Sequence, residues 1–256
     1  TLDDATTEIY SAFFVEEEGT LSSLRGLQEV METQGLFSSL YTDRGSHYWL
    51  TEEAGGKVDK IRLTQVHRAL QQVGVTLIPA YSPEARGRSE RVFRTLQDRL
   101  PKELALAGIT EMAVANRYLT EQFLPQYNDR FMVPATEPGT AFIPWVGTNL
   151  AEILCVQDER VVAKDNTVRY QGLSLQIPQD PHRFHYVKVT VRVHAYPDGT
   201  LAVFHGPRCL ARYDADGQLI ETGRAQPRRD GPTHGSDVPP IVHPRPTVRA
   251  TISARG

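Results

Sequence analysis

The sequence predicts an α/β protein in which a mixed first part is followed by a small antiparallel β-barrel and a disordered tail. Three observations lead to this prediction. Strand-like and helix-like segments alternate up to about residue 145, short strand-like runs separated by turn residues follow, and proline, arginine and glycine dominate from residue 223 onward. We therefore divide the chain into domains 1–145, 146–222 and 223–256.

Apolar periodicity predicts the first elements. Residues 8–15 alternate as a half-buried strand does, and Thr20 can cap a helix that Gly35 ends. The apolar positions of that helix recur at helical spacing, namely Leu21, Leu24, Leu27, Val30 and Met31. Residues 36–42 form the next predicted strand, which ends at Asp43. Alternation of this kind favours parallel pairing of the strands near Asp43.

Capping residues, glycines and prolines delimit the elements that follow. Thr64 opens a second helix that Gly74 closes, and residues 75–79 form the next strand. A third helix runs from about residue 87 to 100, where Pro101 either breaks it or begins a new segment through residue 106. A fourth helix, over residues 111–124, has Thr110 as its cap and ends before Pro125.

The second domain is predicted from six short runs that alternate as strands do and are separated by turn residues. These runs are 160–163, 167–170, 173–177, 187–195, 201–205 and 209–213. Closing them into a small barrel would remove exposed strand edges. The aromatic residues Phe184, Tyr186 and Tyr196 are expected in the barrel core rather than on a surface that stacks nucleic-acid bases.

Charge is distributed unevenly although the net charge is only −3. Residues 1–35 carry eight acidic side chains against one basic side chain, Arg25, and would repel a phosphate backbone. Residues 81–102 have six basic and three acidic side chains. DNA is therefore expected to meet the chain at this second segment.

The remaining composition excludes several classes of protein. Cys155 and Cys209 are isolated, so the sequence has neither a zinc-binding cysteine pair nor a disulfide framework, which fits a reducing cytoplasm. No apolar run approaches the ~20 residues that a membrane-spanning helix needs, and no signal peptide opens the chain. The expectation is a soluble cytoplasmic protein.

Two short motifs point to chemistry. Residues 40–46 (LYTDRGS) place Asp43 at the end of an apolar strand before a glycine turn, and residues 81–91 (YSPEARGRSER) place Glu90 near the start of an arginine-rich helix. Two carboxylates in such positions can hold a hard divalent metal against a phosphodiester. Taken singly, Asp43 is more often a turn residue that bonds its own backbone, and Glu90 a helix-start acid favoured by the helix dipole.

In this order, the two motifs resemble the last two acids of the Asp-Asp-Glu set of retroviral-type integrases and of bacterial insertion-sequence transposases of the ISNCY kind. The resemblance covers residues 1 to about 145, and a weaker one, to the barrel of Mu-like transposases, continues to about residue 216. It implies a ribonuclease-H-like integrase core. It also implies a DNA transposase that cleaves element ends and joins them to target DNA, as a homo-oligomer in the bacterial cytoplasm, associated with the nucleoid.

The resemblance also assigns residues. Asp43 and Glu90 would be catalytic and would bind Mg²⁺, or Mn²⁺ in its place. DNA would contact five polar side chains, which are Arg86, Arg88, Arg91, Arg94 and Gln97. Arg94 and Gln97 lie four and seven residues after Glu90 and so share one helical face with it, which makes Arg94 the best candidate for a phosphate clamp. The alternative for this helix is a solvated surface.

One acid of the family's set is missing from the pattern. In the family the first aspartate precedes an Asp-Asp-Ala-Thr turn, and that turn is residues 3–6 here. Asp3 and Asp4 lie in the turn and cannot easily replace the missing aspartate. The expectation is therefore a core without its first strand, inactive as this fragment. The alternative is a catalytically silent DNA-binding or regulatory remnant of a transposase.

Overall fold

The computed structural model describes residues 1–51, 56–59, 61–81, 87–137, 139–147, 149–179 and 183–222. These residues have a mixed α/β structure in which most strand pairs are antiparallel. Thr1–Gly223 form one compact unit. The boundary proposed at residues 145 and 146 stays a prediction, and the tail predicted over 223–256 lies outside the described residues.

The first part contains five α-helices and four short strands within the described residues. In chain order they are α1 (Thr20–Thr33), β1 (Ser39–Thr42), β2 (Leu50–Thr51), β3 (Val58–Asp59), α2 (Gln65–Gln72), β4 (Thr76–Pro79), α3 (Gly87–Leu106), α4 (Met112–Tyr118) and α5 (Leu124–Phe131). β1 and β4 pair in parallel with Leu40 opposite Leu77, which confirms the pairing expected near Asp43. β2 and β3 form a small antiparallel pair that the sequence did not predict.

α1 and α2 pack their apolar faces into one core. Leu24, Val66 and Leu70 are fully buried there. The predicted cap of α2 is confirmed, because the Thr64 hydroxyl accepts a hydrogen bond from the backbone N–H of His67 at 3.2 Å. The cap of α1 differs from the prediction: Gly19 occupies the capping position, so Thr20 is already helical.

The strand predicted over residues 8–15 is wrong. This segment is extended, but its polar backbone is paired with residues 1–3 and with two helix side chains rather than with a strand of a sheet. The Asn128 amide accepts from Ile9 N–H at 2.9 Å and donates to Ile9 C=O at 3.0 Å. Asn116 makes the same two contacts with Phe14, at 2.6 and 3.0 Å. The alternation was read correctly as half-buried, since Ile9 is buried, but the partners are two side-chain amides and an isolated bridge with Leu2 rather than a full strand.

Prolines do not end the later helices. α3 continues through Pro101 to Leu106, so Pro101 neither breaks it nor starts a separate helix. The helix predicted to stop before Pro125 also continues: a π-helical turn, Leu119–Phe123, joins α4 to α5. Pro125 lies in the first turn of α5, where a missing N–H costs little. The π-helical turn lies just before Pro125, and the helix continues although Pro125 has no backbone N–H to donate.

The second part is an antiparallel β-structure. Its strands are β5 (Val156–Val161), β6 (Thr167–Tyr170), β7 (Leu173–Gln176), β8 (Thr190–Ala195), β9 (Leu201–His205), β10 (Arg208–Tyr213) and β11 (Leu219–Thr222). Five strands form one sheet in the order β11-β10-β9-β8-β5, and among the described residues β6 pairs only with β7. Both sheets contribute to one core that contains Val168, Leu175, Val193 and Tyr213.

The closed barrel is therefore corrected to an open arrangement. Within the described residues, the β6–β7 hairpin and the five-stranded sheet are not joined into a hydrogen-bonded ring. The strand positions were predicted to within about four residues, and β11 was missed. Tyr186 and Tyr196 are buried as expected, but Phe184 is 75% exposed, so its assignment to the core was wrong. None of the described helices is long and apolar enough to cross a membrane.

Candidate functional site

The candidate site lies at the edge of the parallel pair where both strands end. Ala80 N–H donates to Thr42 C=O at 2.9 Å, so the segments that follow β1 and β4 leave the sheet side by side. Asp43 is the first residue after β1. The Arg44 guanidinium lies 5.4 Å from the ring centre of Tyr81, which follows β4. In open α/β sheets, ligand sites collect at this carboxyl edge of the strands.

Asp43 is part of a tight turn. Its Oδ1 accepts a hydrogen bond from Gly45 N–H at 3.0 Å. A Cβ atom on Gly45 would lie 3.0 Å from Asp43 Oδ1 and 3.1 Å from His47 Cε1, so a larger residue here would push one of these side chains aside by a few tenths of an ångström. The hydrogen bond is the one expected of a turn aspartate, and a role as metal ligand rests on the resemblance to integrases.

Two aromatic side chains beside Asp43 were not singled out from the sequence. The His47 and Tyr48 rings pack at 4.1 Å, and His47 Nε2 lies 3.9 Å from Glu18 Oε1. Burial raises the pKa of the Tyr48 hydroxyl, a hydrogen bond with Ser23 offsets part of the rise, and the charge of Asp43 adds to it. Neither residue has a motif spacing, so only the fold reveals that they adjoin Asp43.

α3 carries the predicted glutamate and arginines. Glu90, in its first turn, is exposed, and Arg94 and Gln97 are exposed as well, so the face predicted from their spacing does face solvent. Val92 and Leu100 bury the opposite side of the helix. The helix therefore presents a carboxylate, a guanidinium and an amide in one row.

The other basic residues of this segment have different surroundings. Arg91 is exposed and its Nε donates to Gly87 C=O at 3.3 Å. Arg99 forms an ion pair with Glu103, one turn later on the same helix, at 2.8 Å. This pair stabilises α3. The backbone of Arg88 belongs to α3, but its side chain, like the whole of Arg86, lies outside the described residues.

The chemistry of these acids partly fits a magnesium site. Asp43, at the edge of the parallel pair, and Glu90, exposed on α3, each offer the oxygen donors that Mg²⁺ prefers. Within the described residues, no group of three or more His, Cys, Asp or Glu side chains could hold a metal ion. Two carboxylates alone are too few ligands for a pair of metal ions. Residues 82–86, between Tyr81 and α3, lie outside the described residues.

A second polar cluster lies where the chain enters the five-stranded sheet. The Glu152 carboxylate interacts with His194 Nδ1 at 3.0 Å, accepts from the Tyr196 hydroxyl at 2.6 Å and pairs with the Arg212 guanidinium. Burial alone would raise the pKa of Glu152, but the three hydrogen bonds outweigh it and lower the pKa to about 2. His194 also stacks on Phe204 at 4.2 Å. This cluster joins strands to the preceding turn and lies away from the motifs.

Comparison with known proteins identifies relatives. No family model matches the chain. It is 30% identical over 206 residues to "Putative transposase y4bF" of Sinorhizobium fredii, which covers 79% of this chain and 44% of that protein. It is 29% identical over 130 residues to "Transposase for insertion sequence IS1202" of Streptococcus pneumoniae, which covers 51% of this chain and 28% of that protein. The chain thus spans less than half the length of either relative.

Proposed function

Because this chain belongs to a family of proteins named transposases, we propose that it takes part in the transfer of DNA strands during transposition. The homology over 79% of the chain is the observation that carries the proposal. The position of Asp43 at the carboxyl edge of two parallel strands supports it further, because an acid at this edge can face a phosphodiester. We extend the proposal to a ribonuclease-H-like integrase core that contains β1 and β4.

In this proposal Asp43 and Glu90 are catalytic carboxylates that hold Mg²⁺, or Mn²⁺ in its place. A bound metal would supply Lewis-acid activation of the phosphodiester. Asp43 is held by its turn, since Gly45 N–H fixes one carboxylate oxygen. Glu90 is exposed on a helix whose opposite side is buried, so it reaches solvent from a fixed backbone.

DNA is the proposed partner of α3. Arg94 and Gln97 follow Glu90 along the exposed face, and Arg91 lies beside it. Guanidinium groups in a row can track phosphates without selecting a base sequence. Arg86 and Arg88 extend this basic segment in the sequence. Joining two element ends to a target requires two active sites, so we propose a homo-oligomer on DNA.

We further propose that the chain by itself neither cleaves nor joins DNA. Two Mg²⁺ ions need several converging oxygen ligands, and Asp43 and Glu90 supply only two carboxylates. A purified chain that carries out strand transfer, with Asp43→Asn abolishing the reaction, would contradict this part. DNA binding without strand transfer would leave a silent DNA-binding or regulatory function as the alternative.

The binding experiment is a titration of duplex DNA at several salt concentrations, with and without Mn²⁺. Arg94→Ala should weaken binding to all sequences alike and flatten the salt dependence by roughly 0.9 in slope, because one phosphate contact is lost. Arg117→Ala, at an exposed position of α4, is the matched control and should change neither quantity. The DNA surface is misplaced if Arg94→Ala behaves like this control.

Glu90→Gln separates a metal ligand from a phosphate clamp. It removes a negative charge near the DNA, so the affinity for DNA without metal should stay the same or rise. In the wild type we expect Mn²⁺ to increase the affinity for DNA, and this increase should be absent from Glu90→Gln. Glu111→Gln, at an exposed position before α4, controls for the loss of one acid. If the response to Mn²⁺ survives in Glu90→Gln, Glu90 is not a ligand.

A further inference from the structure

A groove beside the β6–β7 hairpin carries an exposed aromatic ring. It has a volume of about 470 Å³ and is lined by Lys164, Asn166, Gln176, Phe184 and His185, among others. Phe184 is 75% exposed, more than any other aromatic side chain among the described residues. Exposure on this scale leaves the ring with little part in the core, so its face is open to a ligand.

The turn that presents Phe184 is fixed at several points. Tyr186 N–H donates to Asn166 Oδ1 at 2.7 Å, and the Asn166 amide donates to Ile177 C=O at 2.8 Å. Lys188 N–H donates to Val162 C=O at 2.9 Å. The backbone that follows Phe184 is therefore held in place, which lowers the entropic cost of binding a ligand at the ring.

Three cationic side chains and one acidic side chain lie in the groove or on the chain segment that carries Phe184. Lys164 lines the groove, and Arg183 and Lys188 are exposed on the turn that carries Phe184. Asp165 is the one acid among the described lining residues, and its carboxylate is engaged by the Thr167 hydroxyl at 2.7 Å. Cations next to an exposed aromatic face match a nucleic-acid strand, which carries phosphates and flat bases together.

We propose that this groove binds an unpaired stretch of a DNA strand, with a base stacked on Phe184 and neighbouring phosphates at Lys164 and Arg183. The proposal rests on the proposed function in DNA transfer. An unpaired strand is favoured over duplex because the bases of a duplex are stacked on one another and cannot cover a protein ring. The groove is carried by the β-structure, separate from the exposed face of α3.

The test uses the full chain and a fluorescent oligothymidylate of about 16 nucleotides, a length that covers known site sizes on single strands. Phe184→Ala should weaken binding at least about fivefold, the lower end for loss of one base stack, and Phe184→Trp should restore it. Lys164→Ala should reduce the salt slope by about 0.7, the value for one phosphate on a single strand. Asp165→Asn should tighten binding.

Controls keep the test specific. Val146→Ala removes another exposed apolar side chain, 94% exposed, and Arg117→Ala removes another exposed charge, so both should bind as the wild type does. The melting temperature of Phe184→Ala should equal that of the wild type, since its ring is mostly in solvent. Equal weakening of duplex and single-strand binding by Phe184→Ala would contradict base stacking.

The outcomes also separate the two proposals. If Phe184→Ala and Lys164→Ala match the wild type while Arg94→Ala weakens duplex binding, the groove proposal is wrong and the proposed function stands. If the wild-type chain binds neither duplex nor single-stranded DNA, both are wrong. A protein ligand in the groove would appear as the first of these outcomes.

Discussion

The two parts of the molecule hold their extended segments differently. In residues 8–15, the amides of Asn116 and Asn128 hold the backbone at two points. In the second part, continuous ladders do this, and β5 alone pairs six residues with β8. A ladder loses little when one contact fails, whereas a clamp of two hydrogen bonds is lost with one side chain. The polar backbone of residues 8–15 therefore depends on few residues, unlike that of the β1–β4 pair in the same part.

Apolar burial does not distinguish the two parts. Leu24 and Leu70 in the first core are as fully buried as Val168 and Val193 in the second. Both cores should thus contribute similarly per residue, at about 25 cal/mol for each Å² of apolar surface. The two parts differ in how their backbone N–H and C=O groups are paired. Substitutions can test this difference, and they can also test the contacts that join the two parts.

The largest effect is expected for Asn128→Ala. The substitution leaves the N–H and C=O of Ile9 without their partner, and Ile9 is buried. Each unsatisfied buried group costs ~1–3 kcal/mol, so the free energy of unfolding should fall by about 2–4 kcal/mol. Urea denaturation measures the loss, and hydrogen exchange should show the Ile9 amide opening first.

Gln126→Ala is the matched control for this substitution, because Gln126 lies on the same helix and is exposed. It should change stability by less than about 0.5 kcal/mol. If Asn128→Ala costs no more than the control, water replaces the clamp without penalty and the contrast between the two parts disappears.

The second effect concerns Glu152 and depends on pH. The pKa of Glu152 in the folded chain is about 2, below the 4.5 of an unperturbed glutamate, so the fold is stabilised when the carboxylate is ionised. This contribution is complete above pH ~4.5 and is lost as pH falls through about 2. Glu152→Gln should cost roughly 2 kcal/mol at neutral pH and should flatten the stability curve across that acidic range.

Glu159→Gln tests whether this behaviour is specific. Glu159 is exposed on β5, one strand away from the cluster. Its replacement should leave the acid dependence of unfolding unchanged. An equal flattening in both variants would mean that general charge repulsion, rather than the hydrogen bonds from His194, Tyr196 and Arg212, sets the acid sensitivity.

The sequence predicted elements well where the signal is local. Thr64 caps α2 as expected, and residues 167–170 and 201–205 form the predicted strands, because capping groups, turn residues and alternation act over a few residues. The prediction failed where the pairing partner of a segment lies far away in the sequence. The alternation of residues 8–15 does not show that Asn116 and Asn128, more than a hundred residues away, replace a strand partner.

The same limit applies to the candidate site. The position of Asp43 followed from its strand and glycine turn, and the exposed face of α3 followed from helical spacing. His47 and Tyr48 were missed because they adjoin Asp43 only through a turn, and Phe184 was misassigned because an aromatic residue between strands is usually buried. Whether strands close into a barrel is also decided by edges far apart in sequence.

A smaller effect tests how the two parts are joined. The Arg68 guanidinium on α2 donates to Ile153 C=O at 3.2 Å and to Cys155 C=O, just before β5. Arg68→Ala should cost about 1–2 kcal/mol, because these carbonyls lose a charged donor. Arg68→Lys should recover only part of the loss, since a single ammonium nitrogen cannot also reach Gln65 and Gln72, to which the Arg68 Nε and Nη1 donate.

The informative measurement for Arg68→Ala compares two probes of unfolding. Trp49 is buried in the first core, so its fluorescence reports on the first part, and hydrogen exchange of the β8 and β9 amides reports on the second part. In the wild type, the two signals should change together. In Arg68→Ala, they should separate along the denaturant axis. Coincident curves in the variant would show that other contacts, such as the pairing of the Gln65 side chain with the backbone of Gln157, suffice to join the parts.

The smallest effect is expected in the chemical labelling of cysteine at the junction, by which we mean the contact between Arg68 of α2 and the residues just before β5. Cys155 is fully buried just before β5, and burial raises the pKa of its thiol to about 11, so the reactive thiolate is scarce at neutral pH. Cys209 is only half-buried. A thiol reagent should therefore modify Cys209 first and reach Cys155 only when the junction opens. Arg68→Ala should speed the modification of Cys155 and leave Cys209 unaffected, whereas equal acceleration at both would indicate global unfolding rather than opening between the two parts.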